Sequence, residues 1–267
     1  FNKTGHLVPD WNVMIAQGDV TRYIGDAVAL VATRSPDTLD EALALIDVEY
    51  EELTPVLTPA EGMAENAPLL HEKGNLLSRQ QLKRGDVEQA IRDAAYVVTR
   101  HYSTPQTDHA FMEPECAIAE PDGQGGIVLY TGSQSVYDEQ REIARMLKLP
   151  NNKVRSRSSL VGGGFGGKED MSVQHHAALM AWATGLPVKV RFSRQESLNI
   201  HTKRHAMEID MTTACDSEGN LVAMKALLIS DCGAYASLGG PVLQRACTHA
   251  GGPYHFENVE ITGLCVY

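Results

Sequence analysis

The stretch Leu160-Val161-Gly162-Gly163-Gly164-Phe165-Gly166-Gly167-Lys168-Glu169-Asp170 carries five glycines in six consecutive positions. Glycine adopts positive φ without steric cost and lets backbone approach a ligand closely, so a run this dense fixes a tight turn. Residues 154–158 before it predict a strand, and 169–184 after it predict a helix. N–H groups on such a turn, backed by a helix N-terminus, suit an anionic or oxygen-rich ligand. Two phosphate templates fit by letter and fail on context. Gly162, Gly164 and Gly167 satisfy G-x-G-x-x-G, but the region about 20 positions on reads Val188-Lys189-Val190-Arg191-Phe192, without the expected acid. Gly162 with Gly167-Lys168 opens a P-loop pattern, but Glu169 stands where Ser or Thr would hold magnesium. A loop used only for tight strand–helix packing stays open as an alternative.

The rest of the chain mixes strand and helix patterns. Gly25-Asp26 turns into an apolar run at 27–32 that predicts a buried strand; Ser35 caps a helix with Pro36 at its start and Leu39, Ala42, Leu43 and Ile46 as its apolar stripe; 47–52 returns as a strand. Residues 59–84, rich in Pro, Gly, Asn and charge, predict a linker. Beyond it, Asp86 caps a short helix, followed by strands at 96–103 and 127–131, a helix at 137–147, and strands at 188–192, 207–214 and 221–231. Asp216–Asn220 joins the last two as a hairpin, so an α+β fold is favoured over a purely parallel sheet.

Acidic residues outnumber basic ones, 34 against 23, for a formal net charge of −11 over 267 residues. Phosphate binding needs concentrated positive charge, so nucleic acid is not an expected partner. No apolar run approaches the roughly 18–20 residues of a membrane span. The five cysteines, Cys116, Cys215, Cys232, Cys247 and Cys265, show no ligand or cluster spacing and read as reduced thiols of a cytoplasmic protein. Phe1 at the start and the strand-like alternation at Val266-Tyr267 point to a piece of something longer.

Three further places could carry chemistry. Residues 105–116 gather Asp108, His109, Glu113, Glu115 and Cys116, but the prolines disfavour the helix that would align His109 with Glu113, so a structural role outweighs a metal site. Gln134 lies in a strand-to-helix loop from which an amide can reach a ligand. His175 and His176 are adjacent, point apart, and form no bidentate metal face.

In these motifs the chain resembles the molybdenum hydroxylases, the xanthine dehydrogenases and aldehyde oxidoreductases, in their large molybdopterin-binding subunit. The residues that carry the resemblance are Val161 to Glu169, supported in order by Gly25-Asp26-Ala27-Val28-Ala29, Gln106 to Pro114, the Gln134 segment with 149–154, Lys203-Arg204-His205 and Gly233-Ala234-Tyr235. The resemblance implies that residues 1–58 are the end of an α/β hammerhead domain, that 59–84 link, and that 85–267 are the first half of the cofactor-binding domain. It implies molybdopterin-bound molybdenum with no metal ligand from protein side chains. Gly163, Gly164, Phe165, Gly166 and Gly167 would lie against the cofactor, the Phe165 and Gly166 amides near a molybdenum oxygen, and Gln134 would donate to another. Glu169 and a buried Arg245 would bind substrate and balance charge developing on its ring, which favours a purine or related N-heterocycle over an aldehyde. Water would supply the oxygen, and electrons would leave through iron–sulfur clusters, with FAD as an option, on other domains or subunits. The family's general base lies in a motif beyond Tyr267, so these residues alone are expected to be inactive and cofactor-free. An aldehyde oxidoreductase of the same family, acting on an aldehyde substrate, is the first competing reading; a non-catalytic truncated homologue serving as an interaction module and a nucleotide-binding protein are the others.

Overall fold

The computed structural model describes residues 1–267. In chain order its elements are β1 (Lys3–Thr4), β2 (Trp11–Asn12), α1 (Leu39–Leu43), α2 (Pro59–Gly62), β3 (Leu76–Arg84), α3 (Val87–Asp93), β4 (Tyr96–Thr104), β5 (Cys116–Pro121), β6 (Ile127–Thr131), α4 (Val136–Leu147), β7 (Val154–Ser158), α5 (Gln174–Thr184), β8 (Val188–Arg191), α6 (Arg194–Ile200), β9 (Met207–Cys215), β10 (Leu221–Asp231), α7 (Gly239–His249) and β11 (Asn258–Val266). They form two compact units: Phe1–Leu53 with Asp108–Arg204, and Thr54–Thr107 with His205–Tyr267. No helix is long and apolar enough to cross a membrane.

The first unit is built on a four-stranded sheet in the order β7-β6-β5-β8, parallel only between β6 and β7. Period-two alternation turns Ile127 and Leu129 of β6, and Ala117 and Ala119 of β5, to one face, where all four are buried. Ile143, Ala144 and Met146 of α4 and Ala177, Ala178 and Ala181 of α5 cover that face. The alanines let α5 lie close on the sheet, and burying each of Leu129 and Ile143 contributes roughly 2 kcal/mol. Gln174 starts α5: its Oε1 accepts the Ser172 and Val173 N–H groups at 2.8 and 3.0 Å, and its Nε2 donates to Glu139 of α4 at 2.9 Å.

The second unit carries a five-stranded sheet, β3-β11-β10-β9-β4, with β10 and β11 parallel and the other pairs antiparallel. Helix α7 packs on it through Leu243 and Cys247, over Met224, Leu228, Ile261 and Cys265. Gly263 of β11 makes that approach possible, since a Cβ there would meet Cys247 Sγ at 2.4 Å and Leu243 Cδ1 at 2.9 Å. The expected hairpin is present; Asp216 Oδ1 accepts the N–H groups of Glu218 and Asn220, both at 2.9 Å.

Several expectations are corrected. Residues 27–32 and 47–52 are not strands: Ala27 O accepts the Ile15 N–H at 2.8 Å, but neither run joins a ladder, and an apolar run becomes a strand only where a partner satisfies its backbone. Ser35 does accept the Asp37 N–H, but a 3₁₀ turn at Pro36–Thr38 leads into an α1 of five residues that ends before Ile46, and Leu43 and Ile46 remain exposed. The linker expected at 59–84 contains α2, opened by a Thr58/Glu61 capping box, and the edge strand β3. The helix expected from Glu169 begins at Gln174. Strand β5 and helices α6 and α7 lie outside the predicted elements.

Candidate functional site

The glycine-rich loop leaves β7 at Ser158 and is tied back to the β6–α4 connection. Gly164 to Gly167 is a tight turn closed by the Gly167 N–H donating to Gly164 O at 2.8 Å, with φ of 54° at Phe165 and 90° at Gly166. Positive φ at both central residues makes this a type I′ turn, a conformation that costs a bulky residue such as Phe165 on the order of 1 kcal/mol or more. The Phe165 ring lies over Gly163, where a Cβ would meet its Cε2 at 2.8 Å, and the side chain is otherwise 74% exposed. Strain of this kind persists only where the surroundings over-determine the backbone.

Gln134 supplies one determinant. Its backbone N–H donates to Lys168 O at 2.9 Å, and its side-chain Oε1 accepts the N–H groups of Gly166 and Lys168 at 3.1 and 3.2 Å. Two backbone donors fix which end of the amide is oxygen, so the Nε2 end is the one left without a protein acceptor. Gly164 must be glycine, because a Cβ there would sit 2.2 Å from Gln134 Oε1. The Gly166 amide, expected to face a ligand, is thus taken by Gln134. The N–H groups of Gly163, Gly164 and Phe165 donate to no group of the protein.

Glu113 supplies the other determinant. Its Oε1 accepts the Gly162 N–H at 2.9 Å and pairs with the Lys168 ammonium, so one carboxylate holds both ends of the loop. Lys168 is 3% exposed, and its Nζ lies 4.2 Å from the centroid of the Phe111 ring, a cation–π contact. Burial works to raise the Glu113 carboxyl, but Lys168, the Gly162 N–H and its own N–H together hold it below the ordinary glutamate value. A Cβ at Gly162 would lie 2.2 Å from Glu113 Oε2. Beneath the loop, Glu115 pairs with His201 Nδ1 at 2.7 Å, and both side chains are buried. Of the residues at 105–116, Glu113 therefore ties the loop and His109 lies against Gly167, while Asp108 pairs with Lys203 at 3.0 Å. Nothing in one sequence pairs Glu113 with Lys168 across 55 residues, or Glu115 with His201, and sequence reasoning missed both.

Glu169 does not open a helix. It sits in the turn before α5, where it lines a narrow niche with His6, Asp138, Glu139, Glu142 and Asp170. Arg245 lies on α7, in the other unit, and is exposed where a buried guanidinium was expected: its position on α7 faces away from Leu243 and Cys247, which take the buried stripe. Neither Glu169 nor Arg245 makes a salt bridge within the chain. His175 and His176 do not point apart as expected: their ring centroids lie 3.9 Å from each other, with His175 buried and His176 Nε2 bonded to Val13 O at 2.9 Å. No group of three His, Cys, Asp or Glu side chains is placed to hold a metal ion.

The arrangement offers three unpaired N–H groups and one amide NH₂ around a strained turn, exposed at Phe165 and Gly166 and buried at Gly164 and Gly167, a cradle for an oxygen-rich ligand. Residues 70–267 match the family model of the molybdopterin cofactor-binding domain. The chain is 40% identical over 266 residues to a probable xanthine dehydrogenase subunit of Bacillus subtilis (strain 168), covering 100% of this chain and 35% of that protein. It is 38% identical over 266 residues to the nicotinate dehydrogenase large molybdopterin subunit of Eubacterium barkeri, covering 100% of this chain and 62% of that one. It therefore spans about a third and about three-fifths of these relatives' lengths. The solved aldehyde oxidoreductase of Desulfovibrio gigas superposes with a TM-score of 0.94 at 24% identity, over 99% of this chain and 30% of that one, which shows a shared fold.

Proposed function

The chain belongs to the molybdopterin cofactor-binding domain family, within the molybdenum hydroxylases, and we propose that it is part of a xanthine dehydrogenase-type enzyme that hydroxylates a purine or related N-heterocycle with oxygen from water. The observation that carries the reading is the division of labour in the loop. Gly162, Gly166, Gly167 and Lys168 spend their N–H groups inside the protein, while Gly163, Gly164 and Phe165 keep theirs for a ligand beside the Gln134 NH₂.

These residues fit the cofactor. Gly163 and Gly164 allow backbone contact with an oxygen-rich group, Phe165 covers it, Gly166 and Gly167 complete the turn, and Gln134 Nε2 donates to one of its oxygens. When bound, the cofactor supplies the activated oxygen nucleophile and accepts two electrons. Gln134 then acts as a fixed donor: because its carbonyl is held by two backbone N–H groups, its NH₂ direction is set before any ligand arrives, so no reorganisation is needed.

Glu169 and Arg245 are the proposed substrate residues. Glu169, which has no ion pair within the chain, can accept from a ligand presenting N–H donors, as a purine does, and the exposed Arg245 guanidinium, without an internal partner, is available for developing negative charge. The relatives' names support an N-heterocycle, since xanthine and nicotinate are both ring nitrogen compounds. Residues 1–58 are read as the end of a hammerhead domain. Iron–sulfur and flavin domains or subunits are the proposed electron acceptors, supported by the naming of the relatives as subunits.

The test is turnover by the full-length protein with its partner chains, xanthine against an aromatic aldehyde. Xanthine or a related heterocycle is expected to be the better substrate, and Glu169→Gln and Arg245→Met to lower kcat/KM by on the order of 10²-fold each. Preferential aldehyde turnover, indifferent to both substitutions, would contradict the substrate assignment.

A further inference from the structure

The four-stranded sheet of the first unit has two faces, and its helices cover one. Val154 of β7 and Val188 and Val190 of β8 pack toward α4 and α5. Period-two alternation therefore turns Arg155, Arg157, Lys189 and Arg191 to the opposite face, where all four are exposed. The strand register aligns them. One row runs Arg157–Tyr130–Ile118–Lys189 across all four strands, and the next runs Arg155–Val128–Glu120. Two cationic edges thus lie about 14 Å apart, three strand spacings, with a largely apolar midline between them. The Arg157 guanidinium lies 5.6 Å from the centroid of the Tyr130 ring, the Tyr130 hydroxyl donates to Glu120 at 3.1 Å, and Ile118 is 38% exposed. At the end of the midline nearest the glycine-rich loop, Cys116, Ile118, Tyr130 and Leu160 help line an open hollow of about 230 Å³.

None of the four cations has a salt bridge within the chain. Set against the single carboxylate of Glu120, they make this face basic in a chain whose net charge is −11. We propose that the open face docks an acidic amphipathic helix of a partner chain. The apolar stripe of that helix lies on Ile118 and Tyr130, and its carboxylates meet Arg155 and Arg157 along one side and Lys189 and Arg191 along the other. A helix about 10–12 Å across fits between edges about 14 Å apart, and the hollow accepts a large apolar side chain as an anchor.

Charge decides among the possible occupants. A second copy docked face to face about a two-fold axis would set cation against cation. A nucleic acid needs concentrated positive charge along its track, and here a carboxylate and an apolar midline part the cations into two edges. An acidic helix satisfies both edges at once and buries the midline as well. The inference rests on the reading of this protein as one subunit of an assembly, and does not depend on its substrate.

The experiment uses the full-length protein and its partner chains, separated and recombined. A carbodiimide, which joins an amine to a carboxylate in direct contact, is expected to couple Lys189 of the wild type to an Asp or Glu in a helical stretch of a partner chain, one with apolar residues at spacings of three and four. Charge reversal tests each edge. Arg155→Glu with Arg157→Glu, and separately Lys189→Glu with Arg191→Glu, should slow association by about tenfold or more at low salt and flatten its salt dependence. Arg34→Glu with Lys73→Glu, exposed cations outside this sheet, changes the net charge equally and should slow it by less than about threefold. A wild-type complex in which Lys189 couples to nothing, or to its own chain in one copy or a second, overturns the inference. Equal slowing by all three pairs, or by none, overturns it too. A full-length protein that has no partner chain instead overturns the reading on which it rests.

Discussion

Glu113 and Lys168, 55 residues apart, close the glycine-rich loop: the carboxylate oxygen that accepts the Gly162 N–H also pairs with the Lys168 ammonium, which is buried against the Phe111 ring. A buried ammonium left without its carboxylate costs far more than the pair gains, so Glu113→Ala is expected to destabilise the protein by about 3 kcal/mol, measured by urea unfolding. The pH dependence follows from the carboxyl being held below its ordinary value of 4.5. Its stabilising contribution is present above that value and is lost as pH falls through the lower folded value, a loss that Glu113→Gln should abolish. A Glu113→Ala protein as stable as the wild type would refute the clamp.

Gln134 separates two roles that one substitution can distinguish. Gln134→Glu keeps an acceptor for the Gly166 and Lys168 N–H groups but removes the NH₂ donor, so it should unfold like the wild type while binding cofactor less well. Gln134→Leu removes the acceptor too and should cost about 1–2 kcal/mol in stability. Equal cofactor content in wild type and Gln134→Glu would exclude the donor role.

The loop glycines should differ in tolerance. Gly164→Ala drives a Cβ to 2.2 Å from Gln134 Oε1 and must displace that side chain, whereas a Cβ at Gly166 meets nothing within 4 Å and suffers only from the φ of 90°. Gly166→Ala is therefore expected to cost about 1–2 kcal/mol of backbone strain with cofactor retained, and Gly164→Ala to lose cofactor. The reverse ranking would show that Gln134 does not set the turn.

Features with a local signal could be read from the sequence; those that need a partner could not. The five glycines around Phe165, the Asp86 cap and the Asp216–Asn220 turn are local, and each is present in the structure. The helix after the loop starts five residues late because Gln174, not Glu169, satisfies the backbone N–H groups at its start. Helix α7 opens with Gly239-Gly240-Pro241, residues that read as breakers and are tolerated in a first turn. Residues 27–32 and 47–52 are apolar enough for strands, but a strand is a property of a pair, and neither has one here. The Glu113–Lys168 and Glu115–His201 pairs join segments that only the fold of the first unit brings together.

Glu139, 1% exposed, accepts from Ser156 Oγ at 2.5 Å and Gln174 Nε2 at 2.9 Å, yet burial raises its carboxyl above the ordinary value of 4.5. A raised carboxyl contributes stability below pH 4.5 and loses it as pH rises through the folded value, so at neutral pH the charge is a liability. Glu139→Gln keeps the shape and an acceptor for Gln174, and is expected to leave stability at pH 7 unchanged or raise it by up to about 1 kcal/mol. A loss of several kcal/mol in thermal or urea unfolding would show that the ionised form is required.

Whether the Gly163–Gly167 turn and Gln134 hold a molybdenum cofactor is decided by metal and pterin analysis of the full-length protein, purified with its partner chains. The expected result is molybdenum and a fluorescent pterin in equal amounts in the wild type, both reduced in Gln134→Glu and Gly164→Ala at unchanged fold. Wild-type protein that contains neither, while binding ATP or NAD tightly through the same loop, would contradict the assignment.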